Sequence, residues 1–121
     1  MIEEQDEQGH THYWYTASEV VKMLALKDTD DKLIGRNKFL RALRYNKVIM
    51  ANNEPYQYYI MLGHMKLHST TKRWKSYYVP VFSERGVNYL RNKFEDYEFI
   101  VYTKRDEEQN LNLIGNIDDI L

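Results

Sequence analysis

The spacing of apolar and polar positions along the chain predicts a helix that begins after residue 16. Thr16-Ala17-Ser18-Glu19 has the form of a capping box, with Thr16 as the N-cap and Glu19 at the third helical position. The apolar positions that follow recur at intervals of three and four residues, as on one helical face: Ala17, Val20, Val21 and Leu24. We expect this helix to end near Leu26, before a polar segment.

A second helix is predicted from Arg36 to about Tyr45, directly after Gly35. Its apolar stripe consists of Phe39, Leu40 and Leu43. The opposite side is polar and mainly basic: Asn37, Lys38, Arg41 and Tyr45, with Arg44 at the edge. A basic helix face often only contacts water, but this one has no acidic partner one turn away. We favour phosphate contact, which such charge of a single sign indicates.

Short apolar runs in the second half predict a β-hairpin and a last helix. Met65–His68 and Tyr77–Val81 are predicted to be paired strands, joined by a basic connection over residues 69–76. A further short strand is expected at residues 48–50, whereas the pattern of Tyr56–Leu62 fits a helix or a strand equally. The last helix is predicted to start at a Ser cap and to bury three apolar residues: Ser83, then Val87, Leu90 and Phe94.

The two ends are predicted to lie outside the folded module. We divide the chain into an acidic flexible tail at residues 1–12, a domain at 13–94 and an acidic extension at 95–121. The extension has three interpretations: a solvated tail, a segment that folds back on the basic face and competes with DNA, or a contact with a partner or second copy. In the last interpretation Tyr97–Tyr102 adds a strand and three apolar residues dock on the partner: Ile114, Ile117 and Leu121.

The charged residues are segregated along the chain, although the net charge is only −1. The segment from Lys32 to Lys93 holds 13 lysines and arginines and two acidic residues, Glu54 and Glu84, so its net charge is +11. The other residues include 4 basic and 16 acidic ones, which gives −12. Like charges held close together repel each other, and a polyanion relieves the repulsion. The basic segment is therefore typical of a nucleic-acid-binding protein.

Composition favours a single globular domain inside the cell. The chain has 121 residues, of which 43% are hydrophobic, and it has no cysteine, which excludes disulfides and thiolate metal sites. The first seven residues are acidic and polar, unlike a signal peptide, and no apolar run approaches the roughly 20 residues of a membrane span. We expect a cytoplasmic protein that has no membrane contact.

The predicted order of helix, basic helix, basic hairpin and closing helix is that of a winged helix-turn-helix. We therefore predict an α+β fold, with three helices and a β-hairpin wing between acidic N- and C-terminal tails. In this arrangement the second helix enters the major groove of DNA. The wing lies along the backbone or the minor groove.

Several separated motifs resemble the KilA C-terminal (KilAC) domain of phage antirepressor proteins. They follow the family's order within residues 13–94: Tyr15–Val20, Ile34–Phe39, Tyr45–Met50, Asn52–Gln57, Gly63 and Ser83–Leu90. The resemblance implies a phage or prophage regulatory protein with a DNA-binding type of fold, acting in a bacterial host cell. In that family the module is commonly the C-terminal half of a longer antirepressor. We expect no separate N-terminal domain before the module here, so that a lone module either binds DNA itself or keeps only the protein-contact role.

Helix geometry and charge, not the resemblance, select the residues expected to contact DNA. Asn37 and Arg41 lie one turn apart on the outward face and are the candidates for base edges, because Asn pairs with adenine and Arg with guanine. Lys38 and Arg44 are expected to contact phosphate. Trp74 is expected to pack against sugars or under the hairpin. The complete set is Arg36, Asn37, Lys38, Arg41, Arg44, Lys47, Lys72, Arg73, Trp74 and Lys75.

Catalysis, cofactors and bound metals are not predicted. The pairs His10/His12 and His64/His68 have no cysteine or paired carboxylates nearby, so we interpret them as tail and strand-surface histidines rather than zinc ligands. No Gly-rich phosphate loop or nucleophile elbow is found. Ser18 and Ser83 are interpreted as helix-start residues.

The prediction is a non-enzymatic phage regulator that binds double-stranded DNA through a basic helix and wing. One alternative is an antirepressor that acts by direct contact with a phage repressor. Another is RNA or single-strand binding, with Trp74, Tyr77 and Tyr78 as stacking platforms. A homodimer would suit a regulator that reads two half-sites.

Overall fold

The structure is a computed structural model that describes residues 1–103, 105, 106 and 108. Within these residues the chain forms an antiparallel sheet and helices in the order ββαααββα. The strands are β1 (Ile2–Gln5), β2 (Thr11–Thr16), β3 (Met65–Lys72) and β4 (Lys75–Ser83). The helices are α1 (Ala17–Leu24), α2 (Arg36–Tyr45), α3 (Gln57–Met61) and α4 (Glu84–Glu95).

The sheet has the strand order β1-β2-β4-β3, and every neighbouring pair is antiparallel. Strand β2 pairs with only the last three residues of β4, in a register that places Thr16 opposite Val81 and Trp14 opposite Ser83. The β3–β4 hairpin extends further, from the pair Met65 and Phe82 to the pair Lys72 and Lys75. The predicted pairing of these two strands is confirmed.

Two helices begin at the caps that the sequence predicts. Thr16 and Glu19 form the complete capping box of α1, in which Thr16 Oγ1 accepts from the Glu19 amide at 3.2 Å and Glu19 Oε1 accepts from the Thr16 amide at 3.0 Å. Ser83 caps α4, since its Oγ accepts from the Gly86 amide at 3.0 Å. Helix α1 ends at Leu24, two residues earlier than expected, and its C-cap, Ala25, has a left-handed φ of 47°.

The core lies between the helices and one face of the sheet. It includes the predicted stripes of α1, α2 and α4, together with residues from the hairpin and from the segment after α2: Val20, Phe39, Leu43, Val48, Ile49, Phe82, Val87 and Leu90. Phe39 and Phe82 are fully buried, and their ring centroids are 5.9 Å apart. This contact fixes α2 against the sheet, so the polar side of α2 faces outward.

The prediction of a three-helix winged helix is wrong. Residues 2–5 and 11–16 form strands, so the expected wing is part of a four-stranded sheet, and α3 is an additional helix. These strands were not predicted, because the first twelve residues are mostly polar. Strand β1 lies at a sheet edge, and edge strands in soluble proteins commonly carry charged side chains that prevent further pairing.

The ends of the predicted domain also differ from expectation. Strand β1 lies in the segment predicted to be a flexible tail, and the structure therefore begins well before Tyr13. Residues 97–102 do not form a strand, but Val101 is only 3% exposed and Phe99 packs against Phe94 with a centroid distance of 5.7 Å. The predicted apolar contacts of Ile114, Ile117 and Leu121 lie outside the described residues.

Candidate nucleic-acid interface

Helix α2 presents the predicted basic face to solvent. Phe39, Leu40 and Leu43 are buried, whereas Arg36, Asn37, Lys38 and Arg41 are exposed. The bounds of α2 match the prediction. Burial of its apolar stripe leaves the opposite, polar side of the helix in solvent. Its first turn contains no acidic residue.

The loop before α2 is organised around Asp28, whose side chain is only 2% exposed. Its Oδ1 accepts from the amides of Asp30 at 2.9 Å and Lys32 at 3.1 Å, and its Oδ2 lies 3.4 Å from Lys38 Nζ. These donors, led by the Lys32 amide, hold the pKa of the Asp28 carboxyl below its usual value against the opposing effect of burial. Lys38 is thus anchored within the chain rather than unpaired.

Two of the predicted cations lie at the end of α2. Arg44 is half-buried, and its Nη1 donates to Asn53 Oδ1 at 2.5 Å. Lys47 is exposed in the turn that follows and has a left-handed φ of 61°. The Arg44 bond ties the helix to the turn at residues 50–54, so this side chain positions the loop in the structure described.

The end of α2 is partly covered by the chain after α4. Tyr45 and Tyr102 have ring centroids 5.2 Å apart, and residues 100–102 enclose a small cavity of about 80 Å³ with Lys38, Arg41 and Tyr45. The Thr29 amide donates to the Val101 carbonyl at 3.2 Å, which anchors this segment beside the loop before α2. The first turn of α2 is therefore the more open part of the basic face.

The first turn of α2 shares a groove with the β3–β4 hairpin. Arg36 lines a groove of about 440 Å³ together with His68 and Thr70 of β3 and Val79 of β4. The groove also borders the first turn of α1 and the start of β1. The structure thus brings together one end of the predicted helix surface and the side of the predicted wing.

The outer half of the hairpin is a two-stranded ribbon that projects from the sheet. We call residues 69–78 the ribbon: all of them are exposed, and their strand residues pair only with each other. Lys72 and Lys75 are direct cross-strand neighbours at its outer end. Like charges placed directly opposite each other destabilise a strand pair, so a bound anion would relieve this arrangement.

The ribbon ends in a turn of two residues, Arg73 and Trp74, which both have positive φ values, of 50° and 75°. This is the φ pattern of a type I′ turn, which strongly favours Asn-Gly. Non-glycine residues in the left-handed region cost on the order of 1 kcal/mol each. Trp74 is 101% exposed, so the expectation that it packs under the hairpin is wrong.

Besides Lys38, two further lysines of the basic segment are paired with acidic residues of the chain. Lys66 contacts Glu4 and lies over the Trp14 ring, 4.7 Å from its centroid, and Lys93 contacts Glu98 at 2.5 Å. The pKa of Glu4 is lowered mainly by its hydrogen bond with Lys66. Neither lysine belongs to the predicted DNA-contact set.

Of the two histidine pairs that the sequence spacing suggests, the structure brings together His10 and His12, beside Asp6, but gives His64 and His68 different surroundings. His64 is buried between Tyr59 and Tyr89, contrary to the predicted surface position, whereas His68 is half-buried in β3. His10 and His12 both approach Asp6 Oδ2, at 3.5 Å and 3.1 Å. Within the described residues, no group of three or more histidine and acidic side chains is arranged to hold a metal ion.

One comparison with known proteins identifies the family. A family model described as the phage antirepressor protein KilAC domain matches residues 3–97. The chain belongs to the KilAC family of phage antirepressor proteins. The family match includes the β1–β2 hairpin as well as α4, which agrees with the pairing of β2 and β4 in one sheet. No curated protein and no solved structure matches the chain.

The KilAC family consists of phage regulatory proteins, as the resemblance of residues 13–94 to this family implied. The strand structure before residue 13 was not predicted, because the acidic composition of residues 1–12 was interpreted as that of a flexible tail. The burial of β2 does not alternate along the strand, so its strand formers Tyr13, Trp14 and Tyr15 gave no period-two pattern. Across the described residues, no helix has the length and apolarity needed to cross a membrane.

Proposed function

We propose that this KilAC protein is a phage regulator that binds double-stranded DNA through α2 and the ribbon. The observation that carries the proposal is the groove shared by Arg36 and the hairpin, because it places the first turn of the basic helix beside the ribbon whose outer end carries Lys72 and Lys75. An α-helix fits the major groove, and an adjacent hairpin tip can follow the backbone into the minor groove. The protein would act in the cytoplasm of a bacterial host.

The residues divide into base-reading and phosphate-binding candidates. Asn37 and Arg41 remain the candidates for base edges, since both are exposed on the outward face of α2. Arg36, Lys72 and Lys75 are candidates for phosphate contact, being exposed beside the groove or at the end of the ribbon. Lys38 and Arg44 are less suited to this role than their charge suggests, because Asp28 and Asn53 already engage them.

The test measures duplex binding by fluorescence polarisation over a range of salt concentrations. Removing two phosphate contacts with Lys72→Ala/Lys75→Ala should reduce the magnitude of the slope of log K against log salt by about 2. The matched control, Lys22→Ala/Lys27→Ala, removes two exposed lysines outside the basic segment and should leave the slope unchanged. Absence of salt-dependent binding by the wild-type chain would contradict the proposal.

A second candidate function is direct contact with a phage repressor, which the family's description as an antirepressor favours. Helix α3 and the chain after α4 expose large apolar side chains: Tyr58, Met61, Leu62 and Tyr97. Such side chains commonly form the centre of protein interfaces. If this function holds, Tyr58→Ala/Met61→Ala abolishes a stoichiometric complex with the repressor, whereas the Lys72→Ala/Lys75→Ala variant retains it.

A further inference from the structure

At the tip of the ribbon, Trp74 exposes a large apolar side chain to water and has a positive φ, which is unfavourable for a bulky residue. Trp74 is fully exposed, makes no described contact with the core and occupies a left-handed backbone conformation. A conformation of this kind persists where the surrounding structure imposes it, and it occurs often at functional sites. Here the imposing structure is the continuous β3–β4 pairing up to Lys72 and Lys75.

The surroundings of Trp74 favour a polyanionic partner over an apolar protein surface. Its immediate neighbours are Arg73 and Lys75, and Lys72 faces Lys75 across the ribbon. The ribbon, residues 69–78, contains three charged residues, and all of them are basic: Lys72, Arg73 and Lys75. An apolar interface core is normally depleted of such charges.

We propose that Trp74 is a wedge that enters the minor groove of duplex DNA and partly unstacks one base step. This inference rests on the proposed function and adds a role to one of its residues. The minor groove is about 6 Å wide, so the flat indole at the two-residue tip, rather than the two paired strands, is the part that enters it. Arg73 beside the indole suits the negative potential of that groove. Apolar wedges that separate base steps are an established device for bending DNA.

The experiment uses the full chain and duplexes in which 2-aminopurine replaces one adenine. The duplex contains TA steps, which are flexible and unstack easily, and the comparison duplex is a stiff A-tract. The 2-aminopurine fluorescence reports unstacking from the DNA side, so the second tryptophan, half-buried Trp14, does not interfere. The variants are Trp74→Ala, Trp74→Phe and the control Tyr97→Ala, which removes an exposed aromatic side chain outside the ribbon.

Wild-type binding should raise the 2-aminopurine fluorescence of the TA duplex more than that of the A-tract. Trp74→Ala should abolish this rise and weaken binding on the order of tenfold, as expected for loss of one base–aromatic contact, with the salt slope unchanged. Trp74→Phe should retain part of the rise, and Tyr97→Ala all of it. Because Trp74 is fully exposed, circular dichroism should show that each variant at this position is folded.

Two results would overturn the wedge and leave duplex binding intact. One is a Trp74→Ala variant with wild-type affinity and an undiminished fluorescence rise. The other is that the wild type causes no fluorescence rise although Trp74→Ala binds tenfold more weakly. This result would place the indole on the backbone sugars. Absence of duplex binding by the wild type would instead refute the proposed function, and Trp74-dependent binding to single strands alone would assign the indole to stacking on unpaired bases.

Discussion

Gly86 lies where α4 crosses closest to the segment that leads into β3. A Cβ atom at this position would lie 2.1 Å from the His64 carbonyl oxygen, which is backbone and cannot move aside as a side chain can. The same carbonyl accepts a hydrogen bond from the Ser83 amide at 3.0 Å. The absence of a side chain at residue 86 therefore permits the contact between the helix and the sheet.

Gly86→Ala is expected to lower the free energy of unfolding by about 3 kcal/mol, since the added methyl group forces α4 away from the backbone at His64. Urea unfolding followed by circular dichroism measures this change. Asn92→Ala, at an exposed position of the same helix, is the control and should be nearly neutral. Equal stability of Gly86→Ala and wild type would contradict the close packing.

Protonation of His64 is expected to destabilise the fold in mild acid. Burial, followed by the charge of Arg85, lowers the pKa of His64 below its usual 6.5, and its Nδ1 has no hydrogen-bond partner in the described residues. Protonation therefore favours the unfolded chain, in which the imidazole has its ordinary pKa. The stabilisation is present above pH 6.5 and is lost as the pH falls from there towards the folded-state pKa.

The expected outcome is a free energy of unfolding that decreases below pH 6.5, before the carboxylates begin to titrate. Urea unfolding at several pH values measures it, and an NMR titration of the His64 ring should give a pKa below 6.5. In His64→Gln the dependence in this window should weaken. A raised His64 pKa would reverse the sign and refute the argument.

At the scale of elements, Asp28 connects the α1–α2 loop to the basic helix. Asp28→Ala leaves the amides of Asp30 and Lys32 without their acceptor and Lys38 without its partner. We expect the melting temperature to fall by several degrees, because hydrogen bonds to a buried carboxylate are among the stronger ones. Asp30→Ala, at an exposed neighbouring position, should have little effect.

The ribbon is expected to be less stable than a ribbon with an optimal turn. Replacing its tip with Arg73→Asn/Trp74→Gly supplies the residues that a type I′ turn favours, and should stabilise the ribbon by about 1 kcal/mol. Hydrogen exchange of the amides in residues 69–78 measures this local change. The control Arg73→Ala/Trp74→Ala keeps unfavourable side chains at positive φ and should bring no gain. The Asn-Gly variant should bind duplex DNA more weakly, since it lacks both Arg73 and Trp74.

At the scale of the whole molecule, the chain after α4 is part of the fold. Phe99 packs against Phe94, and Val101 is buried and bonded to the Thr29 amide. Residues 95–103 therefore cannot be removed without loss of core contacts. Competition of the extension with DNA stays one of its three interpretations, and residues 100–102 lie beside Lys38 and Arg41.

A chain that ends at Phe94 should lose at least about 3 kcal/mol of stability, because it lacks both Phe99 and Val101. Urea unfolding tests this. Val101→Ala should reproduce part of the loss, whereas Tyr97→Ala, which alters an exposed side chain in the same segment, should not. A fully stable chain ending at Phe94 would show that these contacts contribute little.

Local features of the chain were predictable from the sequence. The caps at Thr16 and Ser83 and the bounds of α2 depend on interactions within a few residues, and the β3–β4 pairing joins neighbouring strands. The residues proposed to bind DNA were selected in the same way, from charge and helical spacing.

Contacts between distant segments were not predictable, because no local pattern encodes them. The pairing of β2 with β4 joins residues more than sixty positions apart, and it replaces the expected winged helix with a four-stranded sheet. The burial of Asp28 and the full exposure of Trp74 likewise depend on where the surrounding chain passes. Charge and periodicity specify which residues can form an interface, whereas packing determines which of them remain available to a partner.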